Sequence, residues 1–110
     1  MPLEMAVSGL ERAREAREQF DAEKVFTVLG NEQCRTVLKV LQDNPRTAAE
    51  LATEADVPLS TLYRHLNRML DAALIEESVR LSPNGKHPSE YSSRISDVCL
   101  AVGDDEVGLF

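Results

Sequence analysis

Tryptophan is absent from this chain of 110 residues, and cysteine, proline, glycine and aromatic residues are all scarce. The low proline and glycine content, beside 43% hydrophobic residues, predicts one folded domain rather than a disordered segment. No apolar run approaches 18 residues, so no transmembrane helix is expected. The N-terminus also lacks a basic segment followed by an apolar stretch, which argues against a secretory signal. A cytoplasmic protein without a membrane partner is therefore predicted.

The two cysteines, Cys34 and Cys99, lie far apart, and the sequence has no Cys-x-x-Cys or Cys/His cluster. No metal site and no cofactor are predicted on that basis. Two buried, inert thiols are one interpretation of the pair, and a redox pair is the alternative. No Ser/His/Asp set, phosphate-binding loop or suitably paired carboxylates is found, so we do not expect an enzyme.

The charge of the chain is unevenly distributed. The net charge of −7, taken over the whole chain, would repel a polyanionic partner. However, residues 57–70 contain two arginines and no acid, and residues 78–96 contain three cationic side chains and one glutamate. Residues 96–110, in contrast, contain four acids and no base. Two segments thus remain suited to contact with a phosphate backbone.

The basic residues are nine arginines and only three lysines. An acidic, lysine-poor composition is what we expect of a cytosolic protein from an extreme halophile. Molar salt screens charge over roughly 3 Å, so repulsion among surface carboxylates costs little there. An acidic protein approaching DNA phosphates could use inorganic cations to bridge like charges. We therefore predict a weak or inverted dependence of DNA affinity on salt, against the usual loss.

Residues 1–20 are predicted to form an N-terminal helix with a narrow apolar stripe of about 3.5-residue period. Charged residues occupy the other faces. Such a narrow stripe is typical of two helices that pack along each other, so residues 1–20 are predicted to form a dimerisation arm. A helix packed on its own domain is the alternative. The stripe consists of Leu3, Val7, Leu10, Ala13 and Phe20.

Residues 21–96 contain the signals of four further helices. Asp21 and Asn31 are the expected caps of helices over 22–29 and 32–42. Thr47 and Glu50 have capping-box spacing and open a short helix through Ala55. Asp56 stands in the turn, where aspartate tolerates left-handed geometry. Pro58 then fits the first turn of a helix to about Ala73.

The pattern changes after this last helix. Residues 75–81 and 90–95 are predicted strands, joined by a turn-rich loop that contains Asn84 and Gly85. In the first part of residues 97–110 every second residue is apolar, and a turn signal follows. A C-terminal strand or hairpin extension is therefore predicted. The predicted fold class is therefore mainly α with a β-hairpin wing, a winged helix-turn-helix, with an extra N-terminal helix and a C-terminal β-hairpin.

The helix over about 58–73 divides its faces as a DNA-reading helix must. Leu62, Leu66, Met69 and Leu70 fall on the core side. Arginine binds guanine and asparagine binds adenine through paired hydrogen bonds in the major groove, and hydroxyls hold phosphates. We expect this helix in the major groove and the wing, about 75–95, on the backbone or minor groove. The candidate DNA contacts are Leu59, Ser60, Thr61, Tyr63, Arg64, Asn67, Arg68, Arg80, Lys86, His87 and Arg94.

Residues 22–81 resemble the winged helix-turn-helix of the ArsR-like regulators, especially the small ones of halophilic archaea. The matching segments are residues 25–32, 35–38, 49–52, 60–70 and 73–75. The resemblance implies a homodimer on a pseudo-palindromic operator, and a packing or backbone-contact role for His65. The Cys-x-Cys pair with which some members bind metal is missing from residues 50–56, so we do not expect metal sensing. A second departure is Pro58, which replaces the serine that usually caps the following helix.

Three functions follow from these patterns. The first is a sequence-specific, double-stranded-DNA-binding transcription regulator. The second is a redox-responsive regulator that uses Cys34 and Cys99. The third is a winged helix that docks another protein and does not bind DNA, which the acidic charge of the whole chain would suit.

Overall fold

The computed structural model describes residues 20–98, 100–102 and 107–109. Four helices and a three-stranded antiparallel sheet form a winged helix-turn-helix, which confirms the predicted fold class. The predicted N-terminal helix lies outside the described residues. None of the described helices is long and apolar enough to span a bilayer. The helices are α1 (Ala22–Leu29), α2 (Glu32–Leu41), α3 (Ala48–Glu54) and α4 (Leu59–Asp71), and the strands are β1 (Arg46–Thr47), β2 (Ile75–Val79), β3 (Ser89–Ser93), β4 (Leu100–Val102) and β5 (Val107–Leu109).

The first two helices begin at their predicted caps. The Asp21 carboxylate accepts from the backbone N–H groups of Glu23 and Lys24 at 3.0 and 3.2 Å. The Asn31 side chain accepts from the Cys34 N–H at 3.0 Å. These bonds satisfy N–H groups that have no partner within the helix, so each cap fixes where its helix starts.

The helix-turn-helix begins with the predicted capping box. The Thr47 hydroxyl accepts from the Glu50 N–H at 3.3 Å, and the Glu50 carboxylate accepts from the Thr47 N–H at 2.8 Å. Pro58 stands immediately before α4 and has no side-chain capping bond. The predicted start at Pro58 is therefore one residue early, because this residue has extended rather than helical backbone.

Both helices of this motif end in the same way, which shortens each relative to its prediction. Asp56 and Ala73 have φ of 54° and 61°, in the left-handed region. The residue after each donates back into its helix: Val57 N–H to Ala52 O at 3.1 Å, and Leu74 N–H to Met69 O at 3.0 Å. This is the Schellman arrangement, which satisfies terminal carbonyl groups. The left-handed geometry was predicted at Asp56 and not at Ala73.

The core lies where α2, α3 and α4 meet the base of the sheet. Leu62, Leu66 and Met69 are fully buried, as their phase on α4 predicts, and Leu51 of α3 packs with them. Burying one such side chain contributes about 1.5–3 kcal/mol relative to leaving it in water. This apolar contact fixes the direction of α4, and hence which of its residues face outward.

The wing is the hairpin of β2 and β3, to which β1 adds a short third strand in the order β1-β3-β2. Both hairpin strands end two residues before their predicted C-terminal limits, and β3 begins one residue earlier than predicted. Tyr91 is opposite Arg46 on one side and Glu77 on the other. β4 pairs with β5 in a separate antiparallel pair, which agrees with the predicted C-terminal hairpin.

Candidate nucleic-acid interface

The outward face of α4 carries most of the predicted base-reading residues. Leu59 and Tyr63 are 47% and 46% exposed, and Ser60, Arg64 and Asn67 are exposed beside them. These positions recur every three or four residues, so they share one face of the helix. In the described part of the chain, the side chains of Ser60, Arg64 and Asn67 form no hydrogen bond or ion pair. Among the described residues, nothing competes with an external partner for these polar groups.

No acid occurs in α4 before its last residue, Asp71. Arg64 lies in the middle of the helix, away from that carboxylate. Thr61 is half-buried beside the exposed face. The face therefore combines hydroxyl, amide and guanidinium groups with no carboxylate, a set that suits base edges and phosphates.

His65 occupies the opposite, buried side of α4. Its Nε2 lies 2.8 Å from Oε1 of Gln33 on α2, and its Nδ1 is buried without a partner among the described residues. Burial, with smaller contributions from Arg68 and Arg64, lowers the pKa of His65 below its usual value. A neutral ring that donates from Nε2 fits this environment. The geometry gives His65 a packing role that ties α2 to α4, as the resemblance implied.

Arg68 lies towards the far end of α4, apart from the first-turn residues. It lines a cavity of about 280 Å³ between α1 and α4, together with Glu23 and Asp71. Lys24 forms an ion pair with Asp71 at 3.0 Å in the same place. Arg68 is exposed and stays a predicted phosphate contact, but it shares this cavity with two carboxylates.

The turn at the tip of the wing is held by its own polar groups. The Asn84 side chain accepts from the Lys86 N–H at 3.0 Å and lies 2.7 Å from the Ser82 hydroxyl. Gly85 has φ of 81°, which an L residue rarely adopts. Lys86 and His87 are both exposed on this turn. The structure thus brings these two predicted DNA contacts together.

The two other predicted wing arginines do not lie at the tip. Arg94 follows β3, and its N–H donates to Leu74 O at 3.0 Å, which places it at the base of the hairpin. Arg80 follows β2, and its guanidinium already binds Glu50 at 2.9 Å and Glu90 at 2.8 Å. Sequence reasoning missed this ion-pair network, because nothing in the sequence pattern links a wing residue to the first turn of α3.

A cleft of about 580 Å³ separates α4 from the inner face of the wing. Tyr91 is buried beside it, opposite Glu77 in the sheet. Burial and the neighbouring Glu77 carboxylate raise the pKa of Tyr91 to about 12. Glu77 stands just outside the acid-poor segment 78–96, so the exclusion of acid is less complete in three dimensions than along the chain. The cleft is lined by Thr47, Ala48, Ala49, Tyr63, Glu77, Pro88, Ser89 and Tyr91.

Cys34 is a free cysteine with 1% of its surface exposed. Burial raises the pKa of its thiol, which leaves less of the reactive thiolate at neutral pH. Cys99 lies outside the described residues. Within the described ranges no three His, Cys, Asp or Glu side chains are grouped closely enough to hold a metal ion.

Comparison with known proteins places a helix-turn-helix in the same part of the chain. A family profile described as a helix-turn-helix domain matches residues 29–78. Among solved structures, the crystal structure of NolR from Sinorhizobium fredii is similar at a TM-score of 0.55 and 24% identity, over 77% of each chain. No curated protein matches the sequence. Residues 29–78 therefore contain a helix-turn-helix domain, and with the wing they have the winged fold also seen in NolR.

Proposed function

We propose that this protein is a transcription regulator that binds specific sequences in double-stranded DNA, with α4 in the major groove and the wing on the backbone or minor groove. The observation that carries the proposal is the exposed, acid-free face of α4, where Arg64 and Asn67 have no partner among the described residues. This face belongs to a helix-turn-helix domain, a module whose second helix typically enters the major groove.

The proposed contacts divide into two classes. Arg64 and Asn67 read base edges, with Ser60 and Tyr63 beside them, and Leu59 meets a thymine methyl group. Apart from Arg80, whose guanidinium is bound by Glu50 and Glu90, the remaining predicted residues position the protein on phosphates, which fixes register without reading sequence. These are Thr61, Arg68, Lys86, His87 and Arg94.

The test is selection of preferred sites from random DNA by the purified chain, followed by fluorescence anisotropy with a selected duplex. Arg64→Ala should weaken specific binding by about 1–3 kcal/mol, the usual value of a bidentate base contact. Arg35→Ala is the matched control, because Arg35 is also exposed but donates to Leu29 O on the α1–α2 side at 2.7 Å. Equal affinity for selected and random DNA would refute the proposal.

We further propose that the protein binds as a homodimer to a pseudo-palindromic operator, through the stripe Leu3, Val7, Leu10, Ala13 and Phe20. Of these residues Phe20 alone is described, and it is half-buried against the core. Light scattering should give two chains per particle, and two per operator duplex. Leu10→Ser should produce monomers, whereas Arg14→Ser, off the stripe, should not. A monomeric unmodified chain would contradict the dimer.

The acidic, lysine-poor composition supports a halophilic source, and the resemblance to ArsR-like regulators supports an archaeal one. We propose that the protein acts in the cytoplasm. Glu77 beside the DNA-facing cleft supports a role for inorganic cations, since a carboxylate near phosphate favours a bridging cation. Affinity for the selected duplex, measured across molar potassium chloride, should then change little or rise. A steep conventional loss with salt would rule out bridging cations.

Two alternatives have distinct outcomes. A winged helix that only docks proteins would keep its activity in Arg64→Ala and Lys86→Ala variants. A redox-responsive regulator would lose its response to oxidant when Cys34 and Cys99 are both replaced by serine. The burial and raised thiol pKa of Cys34 disfavour the redox alternative.

A further inference from the structure

A network of three charged side chains joins the wing to the helix-turn-helix. Arg80, directly after β2, binds the Glu50 carboxylate through Nη2 at 2.9 Å and the Glu90 carboxylate through Nε at 2.8 Å. Glu50 lies in the first turn of α3, and Glu90 lies on β3. One guanidinium therefore links both strands of the hairpin to the first helix of the motif.

Two of the same residues also form hydrogen bonds with the backbone. The Glu50 oxygen that binds Arg80 is the one that accepts from the Thr47 N–H in the capping box. The Arg80 N–H donates to Pro88 O at 2.9 Å, which closes the hairpin below its turn. Arg80 binding, and then the Thr47 bond, hold the pKa of Glu50 at about 2. The network is thus built into the start of α3 and the neck of the wing.

Apart from the short ladder between β3 and β1, formed at Arg46 and Thr47, the wing has few other contacts that could fix its direction. Among the residues of β2 and β3, Ile75 and Tyr91 alone are buried. A hairpin is marginally stable by itself in water, and β1 adds only two residues to it. The contacts at its neck therefore decide where its tip lies.

We infer that Arg80 is a positioning residue which, through Glu50 and Glu90, sets where the wing tip meets DNA, and is not itself a phosphate ligand. The inference rests on the proposed DNA binding. The planar fork of arginine suits two carboxylates at once, because each nitrogen donates along a fixed direction. In this arrangement Arg80 acts on DNA through the placement of Lys86 and His87.

The two roles of Arg80 predict effects of opposite sign. If Arg80 were a phosphate ligand, removing the charge of Glu50 or Glu90 would release its guanidinium and strengthen DNA binding. If Arg80 positions the wing, the same substitutions loosen the neck and weaken binding, although the protein becomes less negative. Glutamine is the suitable replacement, because it keeps the size of glutamate and serves equally in a capping box.

The experiment compares Glu50→Gln and Glu90→Gln with Glu76→Gln in the full chain, on the selected duplex. Glu76 is exposed on β2 and forms no ion pair among the described residues, so its variant measures the effect of losing one negative charge alone. Both network variants should bind roughly 2- to 5-fold more weakly than Glu76→Gln, the range of partly exposed ion pairs. Either one binding as tightly as Glu76→Gln, or more tightly, overturns the inference.

A second measurement needs no DNA. Amide hydrogen exchange of folded Arg80→Gln should become faster in the hairpin, residues 75–93, and remain unchanged in α4. Unchanged exchange in the hairpin overturns the inference. Failure of the unmodified chain to prefer any duplex would instead count against the proposed function, while the exchange result would still decide whether Arg80 holds the wing.

Discussion

The helix-turn-helix and the wing are held by different kinds of interaction. The first is packed around fully buried aliphatic side chains, including Leu51, Leu62 and Leu66. The wing contributes few buried residues beyond its base and is tied down by the ion pairs of Arg80. Apolar burial is insensitive to charge screening, whereas partly exposed ion pairs weaken with salt. The helix proposed to read bases is therefore rigidly placed, and the wing proposed to contact the DNA backbone is adjustable.

The largest effect should come from the apolar side of this comparison. Leu66→Ala should lower the free energy of unfolding by about 2–5 kcal/mol, because it leaves a cavity in a packed core. Val79→Ala on the wing should change it by less than about 0.5 kcal/mol, since this side chain is mostly exposed. Urea denaturation measures both. Similar losses in the two variants would contradict the division between the regions.

A smaller, stabilising effect is expected at the end of α4. Ala73 adopts φ of 61°, which is strained for alanine and unstrained for glycine. Ala73→Gly should raise the free energy of unfolding by about 0.5–1 kcal/mol after the entropic cost of glycine. Ala72→Gly, at the neighbouring right-handed position, should lower it instead. Destabilisation by Ala73→Gly in thermal unfolding would show that the strain is relieved elsewhere.

The smallest effect concerns the stability of the helix-turn-helix at acidic pH. Burial lowers the pKa of His65 in the folded chain, so the fold favours its neutral form. The resulting stability is fully present above the unfolded-state pKa of about 6.5 and is lost as pH falls through the lower, folded-state pKa. His65→Leu should flatten the decline in stability between neutral and mildly acidic pH. The chain's other histidine is exposed on the wing, so His87→Gln should retain the decline. Equal slopes in the two variants would exclude His65 as its source.

Local signals in the sequence were sufficient to predict the four described helices and the caps of the first three. Asp21, Asn31 and the Thr47/Glu50 pair each act within three residues, so spacing alone identifies them. The left-handed Asp56 was predictable for the same reason. Ala73 was not, because alanine has no preference for this geometry. Ala73 directly precedes the buried Leu74, and burial in the core depends on tertiary packing rather than on local sequence.

The residues of the candidate interface could be predicted from the sequence where they lie on one helix, but not where several elements contribute them. The 3.6-residue period of α4 separates Arg64 and Asn67 from the core without knowledge of the fold. The ion pairs of Arg80 join residues distant in sequence, and Glu77 approaches the interface only through its pairing with Tyr91. The two-residue strand β1 is likewise too short to produce an alternating pattern.

The absence of tryptophan and the presence of only two tyrosines give each region its own optical reporter. Tyr63 is exposed on the side of α4 that we propose faces DNA, and Tyr91 is buried in the wing. In a Tyr63→Phe variant, ultraviolet fluorescence would come from the wing alone, and in Tyr91→Phe from the helix alone. The solvent exposure of both regions could thus be followed by quenching, without an attached dye.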